Sequence, residues 1–185
     1  MLHYIFVVAL LSMALGAPDP TKVCSPDQTQ MSSFNIQTSV TMEIINDFKQ
    51  KMRLTTSPTG SRIEDMDKLK HYIFDSNGNC RSDSLPPSAF SPQCLPDNSV
   101  YIGETFVGFG PNRLPVEIWE TPASDGGTVK MFLGNQPGQP SEAILDSFIR
   151  DGVAIFSNFY FNQSVTITSP DPFKIPDPCP PTSHG

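Results

Sequence analysis

SVYIGETFVGFGPNRLPVEIWE, residues 99–120, holds two strand-like runs, VYIGETFVGF and LPVEIWE, joined by the turn residues GPNR. Side chains alternate along a strand. In the second run Val116, Ile118 and Glu120 therefore share one face, and Glu117 and Trp119, the only tryptophan, share the other. The stretch reads as an antiparallel hairpin, and Cys80 and Cys94, the closest-spaced cysteines, lie just before it.

The reading extends outward in both directions. TPASDGG is a tight turn, because Asp-Gly-Gly supplies the conformations a short hairpin needs. TVKMFLG then puts Val129, Met131 and Leu133 on one face. SEAILDSFI, residues 141–149, predicts a short helix with Pro140 in the first turn and Glu142 near its positive end. VAIFSNFYF is apolar on both faces, the pattern of a strand covered on both sides, and SVTITS predicts a last strand. Upstream, residues 17–33 read as a polar leading segment tied down at Cys24, with strand signal beginning at Phe34. SVTMEII and QKMRLTT form a second hairpin around Asn46-Asp47, favoured over a helix by β-branched Val40, Thr41, Ile44 and Ile45. RIEDMDKLKHYIF is the strongest helix competitor in the first half, with HYIF running as a strand into the turn DSNGN.

The first residues, MLHYIFVVALLSMALGA, carry a short apolar run ending in small residues. They predict a signal peptide, residues 1–16, cleaved after Gly16. The run is too short to span a bilayer, which takes about 20 residues. Removing residues 1–16 from 185 leaves 169, one domain over 17–185 with an irregular Pro-rich C-terminal tail. A net charge of −7 argues against nucleic acid as a partner. The 19 prolines, about twice the usual share, interrupt helices and favour β structure with long connections. The four cysteines, Cys24, Cys80, Cys94 and Cys179, imply two disulfides in a secreted, extracellular chain, with three pairings open.

Motifs for chemistry are sparse. The mature chain has two histidines, His71 and His184, and no G-x-S-x-G, H-E-x-x-H or P-loop. Asp75-Ser76-Asn77-Gly78-Asn79 opens like a calcium loop, but Cys80 stands where the glycine belongs and Pro86 where the closing Glu belongs. The chain reads as no enzyme. Asn162-Gln163-Ser164 is a glycosylation sequon. Large apolar groups, Phe106, Phe109, Trp119, Phe132, Phe148, Phe156, Phe159 and Phe161, lie mostly on strands. They can fill a core or line a sheet pocket for a lipid-like molecule.

The order of motifs resembles the ependymin-related proteins. Phe74-Asp75-Ser76-Asn77-Gly78 followed by Cys80, LPDNSVYIGE at 95–104, Pro115-Val116-Glu117-Ile118-Trp119, and the terminus Asp171-Pro172-Phe173 through Pro178-Cys179 each look like elements of that family, and Cys24 fits its opening cysteine. The resemblance implies a mainly β (α+β) fold with one or two short helices. Its curved antiparallel sheet, a half-barrel, surrounds a hydrophobic pocket as in bacterial lipoprotein carriers. It implies a secreted glycoprotein, an apolar ligand in the sheet pocket, homodimers, calcium-linked behaviour, and the pairing Cys80–Cys179 with Cys24–Cys94. The family usually has a cysteine near residues 134–140, where this chain has GNQPGQP; Cys94 is the additional one here. The alternative function is a structural or adhesive matrix protein whose acidic surface binds calcium and whose cavity holds no physiological lipid.

Overall fold

The computed structural model describes residues 18–86, 92–134 and 141–181. The predicted signal segment, His184 and most of GNQPGQP lie outside them. Eleven strands form one open antiparallel sheet: β1 (Gln28–Asn35), β2 (Val40–Asp47), β3 (Met52–Ser57), β4 (Gly60–Asp65), β5 (Lys70–Asp75), β6 (Cys80–Ser84), β7 (Val100–Val107), β8 (Leu114–Pro122), β9 (Thr128–Gly134), β10 (Glu142–Arg150) and β11 (Val153–Ser164). The spatial order is β6-β5-β4-β3-β2-β1-β11-β10-β9-β8-β7. The molecule is mainly β, as the sequence predicts. Among the described residues the helical turns are two 3-10 turns, Pro20–Lys22 and Gly110–Asn112.

Several local expectations change. Residues 142–150 are strand β10 and not a helix. Ile144, Leu145, Phe148 and Ile149 fit a helical period, but β10 pairs with β9 on one side and β11 on the other. Ladders on both edges override intrinsic propensity. A bulge between Ala143 and Leu145 breaks the alternation that would have marked a strand. RIED and KHYIFD are strands β4 and β5, separated by a turn, and not a helix. Polar β1 starts at Gln28, ahead of the predicted Phe34, because β2 and β11 pair with both its edges. Asn46 and Asp47 end β2, and the turn follows them at 48–51. SVTITS is not a strand. After Ser164 the chain leaves the sheet, and Thr168 donates its N–H and hydroxyl to Gln30 Oε1 on β1, both at 3.0 Å.

β6 and β7 are consecutive in sequence yet lie at opposite edges of the sheet. The described part of their connection, from Pro92 to Pro96, lies against the concave side. There Cys94 bonds to Cys24 of the N-terminal segment. Ser25 N–H donates to Gln93 O (2.8 Å) and Leu95 N–H to Val23 O (3.0 Å), which makes a small two-stranded strap. Leu95 packs on Trp119 and Leu133, with Val23, Tyr101, Met131 and Ala143 around them.

The C-terminal tail crosses the convex side. The register aligns Gln30, Ile45, Leu54, Ile63, Tyr72 and Ser82 in one row across β1–β6. The tail is tied to both ends of that row, through Thr168 at Gln30 and through Pro180, whose carbonyl accepts from Ser82 N–H (2.8 Å). Ile45, Ile63 and Tyr72 are consequently buried on what would be an outer face. Cys80–Cys179 pins the tail, and the Ser82–Pro181 bridge covers the β6 edge. The tail does not cross the other half of this face, so Val153, Ile155 and Phe159 are exposed and β11 is not covered on both sides as expected.

Candidate functional site

A cavity of about 360 Å³ lies between the concave face and the strap. The strap contributes Val23, Cys24, Ser25 and residues 92–96. Inward-facing side chains of β1, β2 and β8–β10 contribute Met31, Ile44, Thr121, Val129, Met131, Leu133 and Ala143. The bulge in β10 brings both Ala143 and Asp146 to this face, since Ala143 pairs with Leu133 and Asp146 with Met131.

One end of the cavity is polar. Met52 and Leu54 of β3 face outward, so Arg53 and Thr55 face in; likewise Ile63 faces outward and Arg62 and Glu64 face in. Asn46, Arg53, Glu64, His71 and Asp83 line up in register across β2–β6. Arg53 Nε donates to Asn46 Oδ1 (2.8 Å), and Asn46 Nδ2 donates to Thr29 Oγ1 (2.9 Å). Glu64, only 2% exposed, lies 2.7 Å from Arg62 and 3.8 Å from Arg53. A carboxylate this buried is held by paired cations, because an isolated one would be far too costly. Burial lowers the Arg53 pKa, and the Glu64 charge opposes that shift.

Across the cavity, Tyr160 OH donates to Asp146 Oδ2 (2.8 Å) and Asn158 Nδ2 donates to Asp146 Oδ1 (2.9 Å). Burial raises the Asp146 carboxyl above the ordinary carboxylate range, although both hydrogen bonds act the other way. Burial, and then the neighbouring Asp146 charge, raise the Tyr160 phenol.

The aromatic residues singled out in the sequence are dispersed. Trp119 is on the inner face but wholly buried in the wall beneath the strap, its ring edge-on to Tyr101 at 5.3 Å and its Nε1 donating to Glu117. Phe132 and Phe159 align with Ile118 and Leu145 on the outer face. Phe159 stacks there with Phe161. Phe106 and Phe109 are exposed at the β7–β8 hairpin tip, where Arg113 sits over Phe106. Phe148 stacks on Phe156 near the β10–β11 turn. None of the seven pocket candidates (Phe106, Phe109, Trp119, Phe132, Phe148, Phe156, Phe159) is among the side chains lining the cavity. Its apolar lining is mostly aliphatic and thioether groups, and the aromatic side chains that reach it are Phe48 and Tyr160. Asn162 is exposed at positive φ, in the irregular part of the β1–β11 ladder. Among the described residues no group of three or more His, Cys, Asp or Glu is placed to hold a metal. Asp75 instead accepts from Asn77 N–H, Asn79 N–H and the Asn79 amide within its own turn. No described helix is long and apolar enough to cross a membrane.

The inward residues Arg53, Arg62 and Asp146 are invisible to a reading by large apolar content, which passes over polar side chains whatever their strand parity. Parity in QKMRLTT and RIED, with one apolar side chain between polar ones, carried the signal.

The arrangement is an open antiparallel half-barrel with a strapped cavity on its concave face. A solved structure from Thermus thermophilus, an uncharacterized conserved protein, is similar over 96% of this chain and 98% of that one, with a TM-score of 0.62 and 6% identity. Likeness at that identity speaks to the fold alone. No family model and no curated protein matches the chain.

Proposed function

We propose that the protein is a secreted, ependymin-like glycoprotein that binds an apolar, lipid-like ligand in the cavity beneath the strap. The observation that carries this reading is the cavity itself, about 360 Å³, walled by Met31, Ile44, Val129, Met131, Leu133 and Ala143 and covered by a disulfide-clipped strap. Binding sites for small molecules are concave, mostly apolar and of roughly 300–1,000 Å³, with a few polar groups that fix orientation. Two disulfides suit an oxidising extracellular setting. The exposed sequon residue Asn162 is the glycan acceptor in this reading.

Mass spectrometry of organic extracts from the natively purified protein tests the proposal. Co-purifying lipid, together with saturable uptake of a fluorescent fatty acid, is the expected result. A lipid-free protein that takes up no probe, but associates on adding calcium in light scattering, would replace the carrier reading with the matrix one.

A further inference from the structure

We propose that the cavity selects single-chain amphiphiles with an anionic head, the head lying against Arg53 and Arg62 and the chain along the aliphatic wall. This deepens the ligand-binding reading above and rests on it.

Three observations lead there. First, the cavity has two chemically distinct ends: Met131, Leu133, Val129 and Ala143 come from β9 and β10, while Arg53 and Arg62 come from β3 and β4. A ligand apolar along its whole length would leave two guanidinium groups facing hydrocarbon, at a desolvation cost. Second, the charged groups that the polar end turns toward the cavity are the two guanidinium groups. Glu64 bridges both arginines but is not itself a lining residue, so it offsets one of the two positive charges from behind. The lining carboxyl, Asp146 of β10, sits beside Met131 of β9, and both its oxygens are taken up by Tyr160 and Asn158. Third, Arg53 is pre-oriented by Asn46, which is itself anchored on Thr29. A guanidinium fixed in this way meets a carboxylate, sulfate or phosphate without first being ordered. The volume, near the lower end of the range for such sites, suits one chain rather than two.

Displacement of the neutral reporter N-phenylnaphthylamine from the full-length secreted protein separates the alternatives. The competitors are dodecanoate, dodecanol and dodecyltrimethylammonium at pH 8. Dodecanoate is expected to bind at least tenfold more tightly than dodecanol, and the cation most weakly. Arg62→Gln, at a half-exposed side chain, should weaken dodecanoate severalfold and leave dodecanol unchanged. Arg53→Met, Arg62→Gln and Glu64→Gln combined remove both cations and the carboxylate they share, so no lone charge is left behind. Together they should cost dodecanoate roughly ten- to a hundredfold, the usual worth of a hydrogen-bonded charge contact. Equal affinity for acid and alcohol, preference for the cation, or indifference of dodecanoate to both variants would overturn the head-group assignment while leaving the carrier reading intact. Failure of all three competitors and the reporter to bind would overturn both.

Discussion

Asp47 shows how one side chain can hold a turn. It is buried at the end of β2, where Oδ1 accepts Gln50 N–H (2.9 Å) and Oδ2 accepts the amides of Gln28 (2.7 Å) and Gln50 (2.8 Å). Burial alone would raise its pKa, but these hydrogen bonds outweigh burial and hold it below the ordinary range. Asp47→Ala should cost about 1–3 kcal/mol in urea unfolding, since it removes the acceptor of three part-buried hydrogen bonds. A depressed carboxyl contributes stability above its unfolded pKa of about 3.9, and that contribution is lost as pH falls through the folded value. The gap between wild type and variant should therefore be full at pH 7 and close below about pH 4. A gap independent of pH would show that the charge of Asp47 is not what matters.

The disulfide-clipped strap is the element on which the cavity depends. Replacing Cys24 and Cys94 together by alanine removes a cross-link between residues 70 apart. The loss should be about 2–5 kcal/mol of stability, the range for native disulfides. It should also loosen Leu95 from Trp119 and Leu133, so that bound reporter exchanges faster. Unchanged melting temperature and unchanged reporter dissociation would mean that packing alone fixes the strap. Composition alone pointed to a disulfide-bonded β protein, and the 99–120 hairpin was legible because its strands alternate and its turn is rich in Gly, Pro and Asn. β10 was not legible, because its bulge disguises a strand as a helical period. The strap was not legible either. Nothing local in residues 92–96 says that β6 and β7 will end up at opposite edges, and that placement is what brings 92–96 against the concave face.

At the scale of the molecule, the two faces of the sheet are covered by different devices. The strap covers the concave side, and the C-terminal tail covers the convex side of β1–β6. Deleting residues 169–185, with Cys80→Ala to avoid a free thiol, should expose the row of Ile45, Ile63 and Tyr72. Burying each such side chain is worth about 1.5–3 kcal/mol. The truncated protein should lose at least about 3 kcal/mol in urea unfolding and bind more anilinonaphthalene sulfonate, a dye for exposed apolar surface. Retention of wild-type stability and dye binding would show that the row is covered by something other than the tail.

The strand order also has a kinetic consequence. β1–β6 and β7–β11 are each simple meanders in which neighbours in sequence are neighbours in space. A single seam, β1 against β11, joins them. There the Asn35 amide reaches Asn158 Oδ1 at 2.9 Å across 123 residues of chain. Local pairings close cheaply and distant ones slowly. Each meander should therefore form early, and sealing the seam should limit the rate of refolding. In stopped-flow refolding, a change in the turn before β9, already formed at the barrier, should slow the folding arm and leave unfolding nearly unchanged, whereas Asn158→Ala, at the seam still closing there, should both slow folding and speed unfolding. The cavity lies across this seam, with Met31 and Ile44 on one side and Val129 and Met131 on the other, so neither half of the chain encloses it until the final pairing is made.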